Sequence, residues 1–196
     1  DSSSAASDVY KRQLYDSLKE KFEDKELIDS GLFSDSKKDR FRNRIMYPIK
    51  NLKGDHIGFG GRIIDEGEPK YLNSPETKTF SKSKELYGLY EAKKNNQNID
   101  TLFVVEGYMD VIALYENGIK NAVASLGTAI TGLHISKLMR YAKQIYVTFD
   151  GDLAGRKAAW RAVENALPIL REDIKMSFIF LDEDQDPDSY VNENGK

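Results

Sequence analysis

The sequence predicts an α/β protein, in which a parallel sheet flanked by helices follows a small basic α+β subdomain. Two observations predict this fold class. After residue 100, short apolar segments of strand length alternate with segments of helical periodicity, which is typical of a parallel sheet covered by helices. Before that point, two β-like segments follow or overlap a stretch rich in Lys and Arg. With 196 residues, the chain is long enough for one large domain or two small ones.

The amino-terminal half is predicted to contain a tail and then the basic subdomain. Residues 1–13 begin with a Ser-rich run and lack apolar periodicity, so they are predicted to be a disordered or non-native tail. From Leu14 onward, apolar side chains recur at helical spacing, and a short helix and a second turn are expected to end at Gly31. Strands are expected at two segments, residues 44–49 and 56–64. The basic subdomain is assigned to residues 14–98. A polar linker over residues 93–100 marks its boundary with the predicted sheet.

Residues 99–184 are expected to form the parallel sheet with its helices. Strands are predicted at residues 101–105, 121–126, 144–149 and 175–181. Helices between them are indicated by residues 110–115, by an apolar face formed by Ile135, Leu138, Met139 and Ala142, and by the long apolar repeat that begins near Ala154. Residues 185–196 are assigned to an acidic loop and the start of a truncated carboxy-terminal part.

Several classes of protein are excluded by composition. The absence of Cys excludes a disulfide framework, a thiol nucleophile and Cys-ligated zinc or iron–sulfur sites. No apolar run approaches the length of a membrane span, and no signal peptide is visible, so the chain is interpreted as cytoplasmic. Neither a GxxxxGKS nor a GxGxxG motif is present, which argues against a helicase-type ATPase or an NAD enzyme.

The net charge of −3 conceals an uneven distribution of charge. Residues 37–53 contain seven basic side chains and one acid, whereas residues 182–188 contain five acids and no base. The basic stretch suggests binding of phosphates, and the acidic stretch suggests binding of cations. Either stretch alone could equally be a solvated surface.

Carboxylates follow three of the predicted strands directly. They are Glu106 and Asp110 after the first strand, Asp150 and Asp152 after the third, and Asp186 and Asp188 on a loop after the fourth, next to Pro187. Because ligands of parallel α/β sheets bind outside the carboxyl ends of the strands, these six side chains are expected to converge at one edge.

Such a cluster requires a cation, because like charges a few ångströms apart repel by about 4 kcal/mol per pair at an intermediate dielectric. Oxygen ligands without His or Cys favour Mg²⁺ or Mn²⁺, completed by a nucleotide phosphate. Each motif alone has another interpretation. The Asp150–Asp152 segment could form a calcium site or a turn, and Asp110 could be a carboxylate favoured by a helix dipole.

The segments EGYMD and DGD resemble the Toprim domain of primases, topoisomerases and some nucleases. Further segments resemble the RNA-polymerase core of bacterial DnaG-type DNA primase, from about Asp39 to the end of the chain: KYLNSPET, FSKSKELYGLYEA, ASLGT, DGDLAGRKAAWRA and DQDPDSYV. That family carries an amino-terminal zinc-binding module and a carboxy-terminal helicase-binding module. Neither is expected here, so the resemblance implies a fragment without a zinc site and without helicase contact.

This resemblance implies synthesis of RNA primers on single-stranded DNA from ribonucleoside triphosphates. It implies metal ligation by Glu106, Asp110, Asp150, Asp152, Asp186 and Asp188, with Glu106, Asp150 and Asp152 as the catalytic acids. It also implies that template and nucleotide phosphates are bound by Arg40, Arg42, Arg44, Arg62, Lys70, Asn73 and Lys82, consistent with the affinity of Lys and Arg for phosphates. Whether Glu106 is a general base or a metal ligand stays open. The alternatives are another Toprim nuclease or topoisomerase-like enzyme, or a non-catalytic nucleic-acid-binding module.

Three further side chains are assigned no part in the chemistry. His56 and His134 have no partner at triad spacing and are interpreted as structural or surface residues. Trp160 is assigned to packing of the last long helix.

Overall fold

The computed structural model describes residues 11–96, 98–150, 152–182, 185 and 187–194, except for the side chains at positions 188, 192 and 194. Most of the predicted tail, Asp186 and the side chain of Asp188 therefore lie outside the described residues. The helices are α1 (Gln13–Leu18), α2 (Asp24–Asp29), α3 (Leu89–Asn95), α4 (Tyr108–Glu116), α5 (Gly132–Leu138), α6 (Leu153–Ala166) and α7 (Pro187–Asn194). The strands are β1 (Arg44–Lys50), β2 (His56–Ile63), β3 (Tyr71–Asn73), β4 (Thr101–Val105), β5 (Ala122–Ala124), β6 (Gln144–Phe149) and β7 (Lys175–Phe180).

The chain divides into two compact units. Among the described residues, the first unit combines residues 11–48 with residues 56–81, and the second combines residues 49–55 with those from residue 82 onward. The described strands form one sheet of order β1-β2-β3 and one sheet of order β5-β4-β6-β7.

The first unit has a small core between α1 and α2. Tyr15, Leu27 and Phe33 are buried together, and the rings of Tyr15 and Phe33 meet edge to face at 5.3 Å. The buried Asp39 carboxylate accepts hydrogen bonds from the main-chain N–H groups of Leu14 and Tyr15 at 2.8 and 3.0 Å. It thereby satisfies donors at the start of α1, which no helical carbonyl can reach. The antiparallel pairing of β2 with β3 sets Gly60 opposite Asn73 and completes the sheet.

The second unit has a parallel sheet with its core on both faces. β4 pairs with β5 on one side and with β6 on the other, and β6 pairs with β7, all in parallel. Alternate residues of β4 and β6, such as Leu102, Val104, Ile145 and Val147, are fully buried in the larger cluster with α5 and α6. A smaller cluster containing Val105 and residues of α4 covers the other face. This sheet with flanking helices, together with the small antiparallel sheet, confirms the predicted α/β fold class.

The bounds of the elements differ from the sequence prediction at several points. α3 occupies part of the segment that was expected to be a polar linker, because Leu89 and Ala92 pack into the core. β3 was not expected, since three residues are too short for a periodic pattern. Residues 11–13 belong to the folded part, where the main-chain N–H of Asp39 donates to the Lys11 carbonyl at 2.7 Å. β4 and β6 have the predicted bounds.

Two side-chain or loop assignments are wrong. Trp160 does not pack in the core, because its side chain is 66% exposed and its Nε1–H donates to Glu164 at 3.1 Å. Asp188 does not lie on a loop, because α7 begins at Pro187. Proline is well suited to a first helical position, where its missing N–H costs no hydrogen bond. Within the described residues, no helix is long and apolar enough to cross a membrane.

Candidate functional site

Glu106 and Asp150 each follow the carboxyl end of one of two neighbouring parallel strands. Glu106 directly follows β4, and Asp150 directly follows β6. The two strands are paired with Val104 opposite Val147, so their carboxyl ends lie at the same edge of the sheet. The apolar residues before each acid are buried and hold the strands in this register, which places both carboxylates where parallel sheets bind ligands.

The carboxyl of Glu106 has a raised pKa. The main cause is burial of this group among protein atoms, although the residue retains solvent access, and the negative charges of Asp150, Asp110 and Asp152 add to the shift in that order. Both effects disfavour the ionised carboxylate. The negative charges of Asp150, Asp110 and Asp152 therefore act on the Glu106 carboxyl.

A cavity of about 290 Å³ lies beside Glu106. Its wall contains Ser125, Gly127 and Thr128 from the segment after β5 and Thr148 from β6. Glu106 thus faces a concave space at the carboxyl edge of the sheet, which is large enough to admit part of a small molecule.

Asp110 and Asp152 also accept hydrogen bonds from main-chain N–H groups at the first turns of two helices. Asp110 accepts a hydrogen bond from the main-chain N–H of Gly107 at 2.9 Å, at the start of α4. Asp152 is the N-cap of α6 and accepts from the N–H of Gly155 at 2.7 Å. The alternative interpretations of the two motifs, as helix-start and turn carboxylates, describe these contacts correctly. Each contact uses one carboxylate oxygen, so it does not exclude a second function.

Gly155 lies against the main chain of Asp150. A Cβ at position 155 would overlap the carbonyl oxygen of Asp150 and would lie 3.0 Å from its carbonyl carbon. Only glycine allows the first turn of α6 to pass so close to the strand end. The sequence argument missed this residue, although its place in the DGDLAG segment, shortly after two acids, was a usable signal.

The metal assignment is not tested by these contacts. Asp186 and the Asp188 side chain lie outside the described residues. Among the side chains that the structure describes, no group of three or more His, Asp or Glu residues is arranged to hold a metal ion as it stands. The donors available at this edge are carboxylate oxygens, which suit a hard cation.

Two of the predicted phosphate-binding residues make structural contacts in the first unit. The Arg40 Nε donates to the Gly31 carbonyl at 3.1 Å. The guanidinium of Arg44 donates to the carbonyl oxygens of Pro69, Gly61 and Lys70 at 2.8, 3.3 and 3.3 Å. Arg44 therefore ties together the two ends of the loop between β2 and β3.

The other predicted basic residues differ in their surroundings. Arg42 is exposed. Arg62 and Lys70 both lie near the ring of Tyr71, with the guanidinium carbon and the ammonium nitrogen 5.9 and 6.0 Å from its centre. This cation–aromatic group belongs to the first unit. Tyr71 is a residue that charge counting could not identify.

Two members of the predicted set remain. Asn73 pairs through its main chain with Gly60 on β2. Lys82 belongs to the second unit, where its carbonyl oxygen lies 2.9 Å from Nε2 of His134. His134 is fully buried, which confirms its interpretation as a structural residue.

Two family models match the chain, and the boundary between them lies close to the domain boundary predicted from the sequence. Residues 6–93 match the family model described as the N-terminal domain of the DNA primase catalytic core, and residues 100–180 match the Toprim domain. The chain is similar to the DNA primase of Neisseria meningitidis serogroup A, at 55% identity over 173 residues, which are 87% of this chain and 29% of that protein. It is also similar to the DNA primase of Pseudomonas aeruginosa, at 54% identity over 177 residues, 88% of this chain and 27% of the relative.

Solved structures show the same similarity. A DNA primase domain from Pseudomonas aeruginosa has a TM-score of 0.84 and 54% identity, covering 88% of this chain and 55% of that one. The catalytic core of the E. coli primase has a TM-score of 0.84 and 49% identity, covering 88% and 56%. A DnaG primase catalytic domain solved bound to single-stranded DNA has a TM-score of 0.83 and 50% identity, covering 87% and 55%. The chain thus spans less than a third of the length of the curated relatives it matches.

Proposed function

Because this chain belongs to the DNA primase family, within its catalytic core, we propose that it takes part in RNA primer synthesis on single-stranded DNA during replication. The reaction is nucleotidyl transfer from ribonucleoside triphosphates. The single observation that carries this proposal is that Glu106 and Asp150 follow the carboxyl ends of two paired strands, with the pKa of Glu106 raised by burial and by its acidic neighbours. The single-stranded DNA bound to a relative supports the choice of template.

We propose that the acids at this edge hold Mg²⁺ or Mn²⁺. Their donors are carboxylate oxygens. The raised pKa of Glu106 reflects burial and then repulsion by neighbouring acids, and a divalent cation would offset both effects. The residues that would hold the ion are Glu106, Asp110, Asp150 and Asp152, with Asp186 and Asp188 added from the sequence. A bound divalent ion neutralises triphosphate charge and stabilises the leaving pyrophosphate.

Glu106 is the acid with the most distinctive environment. Its raised pKa brings it closer to the operating pH, which suits it to accept the proton of an attacking 3′-hydroxyl. Both roles begin from the ionised carboxylate. As a ligand Glu106 would stay ionised throughout, whereas as a general base it would become protonated when the 3′-hydroxyl gives up its proton. Asp110 and Asp152 are held in place by their hydrogen bonds to Gly107 and Gly155.

The basic residues of the first unit are proposed to bind phosphates. Arg42 is exposed, and Arg62 and Lys70 flank the exposed Tyr71, whose ring can stack on a base or sugar. Arg40 and Arg44 support this surface through their bonds to carbonyl oxygens. The expected partners are therefore the single-stranded template and ribonucleoside triphosphates, in the cytoplasm at the replication fork.

The decisive experiment incubates the chain with single-stranded DNA, labelled ribonucleotides and either Mg²⁺ or Mn²⁺. Primase activity yields labelled RNA, a Toprim nuclease or topoisomerase yields cut or relinked DNA, and a binding module yields only a complex. Glu106→Gln is the matched variant, because it keeps the shape of the side chain and removes its charge. Labelled RNA that forms equally well with Glu106→Gln would contradict the assignment of this edge as the catalytic site.

A second measurement concerns the metal alone. Millimolar Mg²⁺ or Mn²⁺ is expected to raise the melting temperature of the chain, and a chelator should reverse the change. Calorimetry that shows no shift with either ion would remove the metal assignment.

A further inference from the structure

Three side chains on one face of α5 hold the segment of residues 82–85. Thr131 Oγ1 donates to the Ser83 carbonyl at 2.7 Å, and the Lys137 ammonium lies 2.7 Å from the Glu85 carboxylate. Between them, Nε2 of His134 lies 2.9 Å from the Lys82 carbonyl oxygen. Positions 131, 134 and 137 recur every three residues, which places their side chains on the same side of the helix. The segment is thus fixed along its length by partners about fifty residues away in sequence.

The hydrogen bonds of His134 define its tautomer. The main-chain N–H of Thr131 donates to Nδ1 at 3.2 Å, so Nδ1 is the acceptor and Nε2 carries the hydrogen that is donated to Lys82. The imidazole is fully buried, and both of its nitrogen atoms are used. Burial is the main cause that lowers the pKa of His134. The hydrogen bonds to the main chain of Lys82 and Glu85 oppose this change, and the ammonium of Lys137 adds a smaller lowering.

Of the two hydrogen bonds made by the His134 imidazole, only the one at Nδ1 takes part in capping α5. Thr131 accepts from the N–H of His134 at 3.1 Å, and the return bond from Thr131 N–H to Nδ1 completes a reciprocal cap. The bond from Nε2 to Lys82 contributes nothing to the cap. It connects the helix to the residue that the sequence assigned to phosphate binding.

We propose that His134 is a positioning residue for Lys82: by holding the Lys82 carbonyl, it determines where the Lys82 ammonium meets a phosphate of the template or the nucleotide. The proposal rests on the proposed function, in which Lys82 is a phosphate contact. Lys has a flexible four-carbon side chain, so fixing its main chain limits the volume that the ammonium samples and lowers the entropy lost on binding.

The test uses two substitutions of His134 that separate its nitrogen atoms. The amide of Gln reaches about as far as Nε2, so His134→Gln can still donate to the Lys82 carbonyl, whereas the shorter His134→Asn can replace only Nδ1. Affinity is measured for a dT oligonucleotide and for ATP with Mg²⁺. Lys82→Ala should weaken binding of at least one of these probes about tenfold, the usual loss of one hydrogen bond to a charged group.

His134→Asn should weaken binding of the same probe by roughly three- to tenfold, through misplacement of Lys82, and His134→Gln should restore most of the affinity. In the Lys82→Ala background, His134→Asn should cause little further loss, because it acts through Lys82. Equal affinity of the Asn and Gln variants would overturn the proposal. The proposal would also be overturned if His134→Asn reduced the affinity of the Lys82→Ala protein as much as it reduces that of the wild type.

Further variants keep the proposal testable if substitution at the buried His134 unfolds the chain. Lys137→Gln removes the ion pair with Glu85, so residues 82–85 are held less firmly. This variant should also lower the affinity for the probe that Lys82→Ala affects. Lys19→Gln is the control, because it removes the exposed ion pair with Asp16, far from α5 in sequence, and should leave affinity unchanged. Equal affinity of Lys137→Gln and the wild type would contradict fixation of this segment.

The outcomes also distinguish failure of the two proposals. If Lys82→Ala binds both probes as the wild type does, Lys82 is not a phosphate contact, and the positioning proposal falls with it. If the His134 and Lys82 variants behave as expected but no labelled RNA is formed, primer synthesis by this chain is wrong while the positioning of Lys82 stands.

Discussion

Gly155 supports the main chain of Asp150 directly: the first turn of α6 passes so close to the end of β6 that a methyl group at position 155 would overlap the Asp150 carbonyl. The N–H of the same glycine donates to Asp152. One residue without a side chain therefore contacts two of the acids assigned to the metal site. Its identity is required by space, since the position makes no use of a left-handed backbone.

Gly155→Ala should displace the end of β6 and weaken both folding and metal binding. Overpacking of this kind costs about 1–3 kcal/mol of the free energy of unfolding, and the shift of Asp150 should reduce the stabilisation by Mg²⁺. Chemical denaturation with and without Mg²⁺ measures both effects. Gly132→Ala is the control, because its Cβ would meet neighbours at an ordinary distance of 3.6 Å. A Gly155→Ala protein as stable as the control would show that the chain relaxes freely here.

Asp150→Asn should separate electrostatic repulsion from metal binding. Asp150 is the charge that contributes most to the raised pKa of Glu106, so the substitution should lower the pKa of Glu106 towards its ordinary value. Exposed charges are screened, and the metal-free melting temperature should rise by only about 1–2 °C. NMR titration of Glu106 and thermal melts with chelator or Mg²⁺ provide the measurements. A variant that melts lower in chelator would indicate a structural role for this acid.

Substitutions of Asp152 should separate its cap from its charge. Asp152→Ala removes the acceptor for the Gly155 N–H and should cost about 1 kcal/mol of stability, whereas Asp152→Asn retains the cap. Both variants remove the charge and should equally reduce stabilisation by Mg²⁺. Comparison of the two in urea unfolding decides the matter. Full Mg²⁺ stabilisation of Asp152→Asn would leave Asp152 with a structural role alone.

Stability should fall with pH below about 6.5, the ordinary pKa of histidine, because the fold lowers the pKa of His134. In that range the unfolded chain binds a proton that the folded chain does not. The contribution of His134 to the free energy of unfolding therefore falls by at most about 1.4 kcal/mol for each pH unit. Above this range it is fully present. His134→Gln should flatten the profile, whereas the exposed His56→Gln should not. An identical slope for His134→Gln and the wild type would exclude His134 as the source.

Lys70→Ala should mainly weaken binding of single-stranded DNA, whereas Arg44→Ala should mainly lower the stability of the fold. The Lys70 side chain is exposed, so its loss should change stability by less than about 0.5 kcal/mol, weaken binding of single-stranded DNA regardless of base sequence, and reduce the salt slope by about 1. Arg44 donates to three carbonyl oxygens, and its loss should cost about 1–3 kcal/mol of stability. Fluorescence titrations at several salt concentrations, together with urea unfolding, test both. A base-dependent loss for Lys70→Ala would mean that this residue contacts bases.

The sequence predicted the central strands and the placement of Glu106 and Asp150 at the same edge of the sheet. Both results follow from local information, since a buried parallel strand is a short apolar run and the acids come directly after two of these runs. Parallel strands place their carboxyl ends at one edge, but only the tertiary structure shows that β4 and β6 are neighbours. The prediction was wrong for α3, whose sequence is mostly polar, and for Trp160, which was assigned to packing of the last long helix and is largely exposed.

What the sequence determined by itself was therefore the fold class, the order of the strands and helices along the chain and the chemical type of the acidic edge. The uses of individual side chains were decided only by the tertiary structure. Arg42 and Arg44 are equivalent by charge count, yet Arg44 bonds to carbonyl oxygens that lie 17 to 26 residues away, and His134 reaches Lys82 across 52 residues. A polar side chain bonds to whichever backbone groups the fold brings within about 3 Å, and groups so distant in sequence meet only after the chain has packed.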